Sequence, residues 1–443
     1  MPSNTERLAA LGVQSPTILL PKKEIDLERW AVVACDQYTS EVEYWQRVEA
    51  YVGSAPSTLH LIYPEVYLEE EHPQRRIATI NETMDRYLSD GIFDTYEKSF
   101  FLVHREDEGG GPGRWGLLAA LDLEHYDWSQ GSKTLIRASE ETILDRIPPR
   151  KAIRKDARFE LPHILVLIDD QQRHVIEALK EKRTIFPEVY STRLMEGGGH
   201  VTAWQINTDE VFGELADHLE ALIASQTSDS PLLFAMGDGN HSLATAKSCW
   251  LDIKKGLSEE EIATHPARYA LVEIQNIYDP GIVFEPIHRL LFSIDFSTFT
   301  STLASFCTSF ETTTLSSLEE LDAALEATDG IQRFGYNDVN QFLLFELNGP
   351  ASSLAAGTIQ KVIDRLLQET KTTVDYTHGE EVTLRLGTKP TNAAIILPPF
   401  SKEAFFKTVI EDGSLPRKTF SMGHAHQKRY YLEGRMITQS VDA

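Results

Sequence analysis

Cysteine is nearly absent from this chain. Cys35, Cys249 and Cys307 are the only three in 443 residues, scattered and odd in number. They supply neither a disulfide framework nor the paired spacing of a zinc site, and they fit a reducing, cytoplasmic setting. Long apolar runs are missing too: the longest, near residues 164–168, falls far short of the roughly 18 residues that cross a bilayer. Residues 1–24 show no basic start followed by an apolar stretch, so neither a secretory signal nor a membrane partner is expected. Positive charge is scarce. Lys and Arg number 42 against 67 Asp and Glu, a formal net charge of −25. A field of that sign repels a phosphate backbone and argues against nucleic acid as a partner. With 42% hydrophobic and 25% charged residues, the composition excludes disorder, collagen and coiled coil.

What is present is a regular alternation of helix and strand periods. At about 150 residues per domain, the length implies two or three structural units. Helical spacing covers residues 41–51 and the stretch carrying Ile77, Ile80, Met84 and Leu88, while residues 30–35 form an apolar run. Strand-like runs at 100–104 and 115–121 flank Glu108-Gly-Gly-Gly-Pro-Gly113, which reads as a hairpin tip. A short helix is expected around 140–146, ahead of Pro148-Pro149. A buried strand follows at 164–168, then a helix at 172–182 and a second hairpin turning at Gly197-Gly-Gly199. Helices at 211–224 and 241–250 bracket a strand at 232–236. Beyond residue 293, helices at 299–306, 318–327 and 359–368 alternate with strands at 341–345 and 393–397. The fold class is α/β, with α+β as the alternative, built from mixed sheets with packed helices. The expected segments are an N-terminal α/β part (1–130), a core (131–293) and a C-terminal α/β part completing the site (294–443).

The sharpest local feature is Phe234-Ala-Met-Gly-Asp-Gly-Asn-His-Ser-Leu-Ala-Thr-Ala-Lys247. An apolar strand runs into Gly237, Asp238 and Gly239, and a helix begins near Asn240. Glycines permit the backbone angles that turn N–H groups outward, and a helix start adds partial positive charge. That combination suits a phosphate, with Gly237, Gly239 and Asn240 cradling it and His241 as donor or proton carrier. A tight strand–helix turn capped by Asp238 fits the same residues. Asp238 also suits Mg²⁺, which is commonly held by one or two carboxylates together with substrate phosphates. Asp36 follows residues 30–35 read as an apolar strand, and a strand's C-terminal end is a usual place for a base or metal ligand, although capping the next helix would explain it as well. Asp169-Asp170 read as solvated turn residues. Gly197-Gly-Gly-His200 precedes a strand rather than a helix and so reads as a hairpin turn. His200, His241, His378, His424 and His426 show no zinc spacing. Walker-type and kinase glycine loops are absent.

The Gly-Asp-Gly-Asn-His-Ser turn followed by Leu-Ala-Thr-Ala resembles the Asp-Gly-His-His-Arg turn of the prokaryotic family catalogued as domain of unknown function 1015. Further blocks carry the resemblance over nearly the whole chain. They are Ala34-Cys-Asp-Gln-Tyr38, Pro56-Ser-Thr-Leu-His60, Arg137-Ala-Ser-Glu140 with Asp145-Arg146, Pro162-His163, Pro286-Ile-His-Arg289, Pro416-Arg-Lys-Thr-Phe420 and Lys428-Arg-Tyr-Tyr431. The turn is similar, more distantly, to the ParB/sulfiredoxin-like fold, in which a glycine turn at a helix start holds nucleotide phosphates. That group includes CTP-hydrolysing partition proteins, ATP-using sulfiredoxins and free-serine kinases. The resemblance implies a ParB/sulfiredoxin-like unit within 131–293. Gly239 and His241 match, but Ser242 stands where the group has arginine and Asn240 where sulfiredoxin has cysteine. Repair of sulfinic acids is therefore not expected, and a cation must come from elsewhere.

Arg137, Arg289 and Lys418, each in a family-like block, are the candidates to neutralise phosphate charge, with structural ion pairing as the competing role. Glu140, three residues after Arg137, fits either a capping acid or a general base on a substrate hydroxyl. The reading that uses most of these residues is a nucleotide-dependent phosphotransferase acting on a small metabolite hydroxyl, with ATP or another nucleotide and Mg²⁺. His241, Glu140 and Asp36 would then handle protons. Two readings compete with it. One is a regulatory protein that binds a nucleotide or phosphometabolite without turnover; the other is a hydrolase with a His/Asp metal centre.

Overall fold

The computed structural model describes residues 2–439 apart from 69, 162, 228, 378, 417 and 424–426. Pro162, His378, Arg417, His424 and His426 therefore lie outside the described residues. The fold is α/β with mixed sheets. It forms two compact units: residues 1–282 with 423–443, and residues 283–422. The first unit continues across residue 130, because one sheet takes strands from both sides of it.

That sheet has ten strands. Its order is Glu188–Arg193, His200–Ile206, Phe100–Glu106, Arg114–Asp122, Tyr269–Asn276, Leu165–Ile168, Phe234–Asp238, Ile136–Arg137 and Tyr126–Asp127, with Val13–Gln14 added on Arg114–Asp122. Both expected hairpins are present, Arg105 facing Arg114 in one and Arg193 facing His200 in the other. The centre is mixed: Leu165–Ile168 runs parallel to Tyr269–Asn276 and antiparallel to Phe234–Asp238. Side chains alternate between two apolar layers. Phe100, Leu102, Leu117 and Ala119 face one core, closed by helices Asp209–Ala224 and Asn240–Lys254. Phe101, Val103 and Leu118 face a second core with Trp30, Trp45 and Tyr430–Leu432. Burial on both faces is why these strands read as continuous apolar runs.

Several local expectations shift. Residues 30–35 are the end of a short helix, Leu27–Trp30, followed by an extended stretch with one isolated bridge, Val33 to Tyr430. Of the expected helix at 140–146, only Leu144–Arg146 is helical, a 3-10 turn leading into the helix Ile147–Arg154, which has Pro148 and Pro149 in its first turn. Proline suits that place, since the first N–H groups of a helix have no partner within it. Among the described residues no helix is long and apolar enough to cross a membrane.

The second unit carries a six-stranded antiparallel sheet in the order Ser309–Thr314, Phe342–Asn348, Gln332–Asn337, Asn392–Ile396, His288–Phe292, Thr373–Thr377. Helices Phe296–Leu303 and Ala355–Glu369 cover a core of Leu291, Phe334, Tyr336, Phe345 and Ile359. The two ends of this unit run side by side, Phe284–Pro286 pairing with Phe420–Met422.

Candidate functional site

The strand Phe234–Asp238 is buried through Met236, and its pairing with Leu165–Ile168 shifts register between Met236 and Asp238. Gly239 then takes the left-handed conformation, φ 84°, ψ 26°, and the helix Asn240–Lys254 begins. Any Cβ here would be strained by that φ and would stand 3.2 Å from Ile164 Cα, so glycine is required on both counts. Ala244 and Ala246 are buried, letting the helix lie close on the sheet. The Asp238 carboxylate accepts from the Gly239 N–H at 2.9 Å.

Residues 139–143 cross the start of this helix and are tied to it twice. Ser139 N–H donates to Asn240 Oδ1 at 3.1 Å, and Ile143 N–H donates to His241 Nε2 at 3.3 Å. Glu140, half-buried, lies between these anchors. Gly237, Asp238, Gly239, Asn240, His241 and Glu140 thus gather at one place.

The cation beside Asp238 is Lys428, whose Nζ stands 3.0 Å from Asp238 Oδ2. Burial pushes the Asp238 carboxyl up, but Lys428 and the Gly239 N–H together hold it below its ordinary value. Arg114 adds positive charge whose field also reaches Asp238. Its guanidinium donates to the Gln427 carbonyl, its Nε has no hydrogen-bond partner among the described residues, and burial lowers its pKa to about 10. Lys428 is held in place by the next residue. Arg429, 1% exposed, pairs with the buried Glu273 and with Glu433 at 3.0 Å. Glu273 also takes Arg105 at 2.9 Å and Gln275 at 2.7 Å. Its side chain occupies the space over Gly116, where a Cβ would stand 2.6 Å from Glu273 Cγ.

A polar chain runs from the helix start to the other wall. Ser242 Oγ is 2.9 Å from His163 Nε2, and His163 Nδ1 is 3.2 Å from the Tyr431 hydroxyl. That hydroxyl accepts from the Cys35 N–H at 3.2 Å. Burial pushes the Cys35 thiol up to about 12 and the phenol well above its usual range. Asp36 Oδ2 lies 3.9 Å from His163 Nε2, with Oδ1 accepting from Gln37. Asp36 and Asp238 both flank His163. Among the described residues no three His, Cys, Asp or Glu side chains form a metal-binding group. Two carboxylates suit Mg²⁺ held partly by substrate phosphates rather than in an all-protein cage.

Comparison with known families matches residues 19–435 to the protein family of unknown function DUF1015. The chain belongs to that family. No curated protein matches it. Among solved structures it is similar to a free serine kinase in complex with AMP, at 11% identity and TM-score 0.39, covering 72% of this chain and 92% of that one. A conserved hypothetical protein from Pyrococcus furiosus is similar at 11% identity and TM-score 0.37, over 72% of this chain and 95% of its own. So is SbnI from Staphylococcus aureus with a C-terminal truncation, at 10% identity and TM-score 0.34, over 69% and 82%.

Of the expected cations of this DUF1015 chain, one points away from the turn and two belong to the second unit. Arg137 neighbours Ala235 in the sheet, yet its guanidinium donates to the carbonyls of Thr134, Ser230 and Pro231, at the far end of the strand from Gly237. It therefore binds main chain rather than facing the turn. Arg289 is in the second unit, fully buried on strand His288–Phe292, where its guanidinium lies over the Tyr376 ring and donates to the Ile287 carbonyl. Lys418 is also in the second unit, exposed on a turn with φ 60°. Sequence reasoning assigned no role to Lys428, His163 or Tyr431, although all three fall within family blocks, Lys428-Arg-Tyr-Tyr431 and Pro162-His163. That block membership was the available signal.

Proposed function

We propose that this protein is a nucleotide-dependent phosphotransferase acting on a small metabolite hydroxyl. The observation that carries the reading is the Asp238–Lys428 pair at the left-handed Gly239 helix start. Helix N–H groups, a half-buried ammonium and the nearby Arg114 together make an anion-binding corner in a chain whose net charge is −25. In such a corner phosphoryl transfer is mainly positioning and charge neutralisation. Lys428 takes the part of the arginine that Ser242 replaces. It turns from Asp238 to phosphate when ligand arrives, and Asp238 and Asp36 are the carboxylates that would hold Mg²⁺, which supplies further charge neutralisation. Glu140, Asp36 and His241 are the groups placed to take a substrate proton, and Asn240 fixes the segment carrying Glu140.

A second reading, binding without turnover, is favoured by one observation: Ser242 removes a guanidinium from the helix start. One experiment separates the two. The full chain is titrated with ATP, GTP and CTP with Mg²⁺ while nucleoside diphosphate formation is followed. Lys428→Ala is expected to weaken binding about ten- to a hundredfold, the loss of one charge-assisted contact. Absence of binding by the folded wild type, or unchanged affinity in folded Lys428→Ala, refutes the reading. Binding without diphosphate in the presence of a metabolite panel selects the regulatory alternative.

A further inference from the structure

We propose that Ser242 is a nucleophile activated by His163, and that it takes a phosphoryl group from the bound nucleotide to form a phosphoserine intermediate. This rests on the nucleotide reading above. The geometry comes from four contacts. Ser242 Oγ meets His163 Nε2 at 2.9 Å, the distance at which a serine hydroxyl passes its proton to an imidazole. In this arrangement Nδ1 carries the ring proton and donates to the Tyr431 hydroxyl oxygen, 3.2 Å away, which leaves Nε2 to accept from Ser242. Asp36, 3.9 Å from Nε2, offers negative charge to the imidazolium that forms. Ser242 itself lies in the first turn of the helix Asn240–Lys254, at the corner where Lys428 stands beside Asp238. The nucleophile, its base and the phosphate-neutralising cation therefore converge from three separate parts of the chain.

The step balances as follows. Ser242 Oγ bonds to the γ-phosphorus, and the bond from that phosphorus to the β,γ-bridging oxygen breaks. Its electron pair leaves with the nucleoside diphosphate, and the serine proton passes to His163 Nε2. In the second half, the acceptor hydroxyl attacks phosphorus and gives its proton to Glu140, while Ser242 Oγ leaves and recovers a proton from His163. Tyr431 is a positioning residue. It touches no substrate and acts through its hydrogen bond to His163.

The test uses the full chain in two arms. In the first, protein is mixed with ATP and Mg²⁺, quenched in acid, and its mass measured intact and after digestion. One phosphoryl group is expected on Ser242, absent in Ser242→Ala and formed at least about a hundredfold more slowly in His163→Asn, while both variants keep wild-type melting and nucleotide binding within a few fold. In the second arm, a fluorophosphonate reagent, which needs no nucleotide, is expected to label Ser242 faster than any other serine. Labelling should fall at least about a hundredfold in folded His163→Asn and should change in Tyr431→Phe while its nucleotide binding does not. Nucleotide turnover with no phosphoserine on a rapid-quench time scale overturns the intermediate, as does a folded chain whose Ser242 resists the fluorophosphonate. Fluorophosphonate labelling that depends on His163, in a chain that binds no nucleotide, overturns the nucleotide reading with its phosphoryl donor and sustains the activated serine.

Discussion

Replacing Glu273 by Gln tests how the C-terminal return is anchored. Glu273 is 0% exposed and sits among Arg105, Arg429 and Arg114. Burial pushes its carboxyl up, but Arg105 and then Arg429 overcome this and hold it at about 2, against an ordinary value of 4.5. That difference corresponds to about 3 kcal/mol of folding stability. Removing one member of a buried charge cluster typically costs about 3–5 kcal/mol, because the remaining charges lose their compensation. The two routes agree. Since the folded value is depressed, the contribution is present above pH about 4.5 and is lost as pH falls toward 2. All six tryptophans, Trp30, Trp45, Trp115, Trp128, Trp204 and Trp250, lie in the first unit. Urea unfolding followed by tryptophan fluorescence at pH 7 therefore reports this unit alone. Glu273→Gln is expected to lose about 3–5 kcal/mol there. Adding Arg105→Leu should recover part of the loss, with a coupling of at least about 1 kcal/mol in the double-mutant cycle. A loss below about 1 kcal/mol in Glu273→Gln, or strict additivity in the cycle, would refute the view that this network pins residues 427–436 to the sheet.

Three further outcomes are expected. Gly239→Val, placed at φ 84° with Ile164 Cα 3.2 Å from the new Cβ, should lose about 1–3 kcal/mol in urea melts and abolish nucleotide affinity at the turn; unchanged affinity in calorimetry counts against the turn as a phosphate cradle. Arg289→Ala should sharply destabilise the second unit, because the guanidinium is fully buried against Tyr376 and the Ile287 carbonyl; hydrogen exchange over 288–292 and 373–377 is the readout, and unaltered protection would exclude a structural role. Burial, and then the neighbouring Asp322 carboxylate, raise Glu380 to about 7, with His288 Nε2 4.0 Å away. A raised acid favours folding below its unfolded value near 4.5 and loses that advantage as pH climbs to about 7. Exchange protection of the helix Glu380–Gly387 should therefore fall between those pH values in the wild type and stay flat in Glu380→Gln.

The sequence by itself determined the local elements. Both hairpins, the strand–glycine–helix turn and the amphipathic helices follow from residue spacing and from glycine at positive φ, which act over a few residues and need no partner. It also singled out Asp36, Glu140 and Gly237 to His241; Glu140 lies between two hydrogen bonds to the helix start, and Asp36 lies 3.9 Å from His163, which meets Ser242. Tertiary structure decided which charges meet. Lys428 reaches Asp238 across 190 residues, Ser242 meets His163 across 79, and His163 meets Tyr431 across 268. None of these pairings follows from spacing, because they depend on strand order and on how residues 427–436 dock onto a sheet already formed. Arg137 shows the same limit from the other side. Its position beside Ala235 in the sheet put it near the turn, yet its long side chain turned to three carbonyls at the strand's opposite end. A side chain with five donors goes where buried acceptors are unsatisfied, and only the folded chain determines where those are.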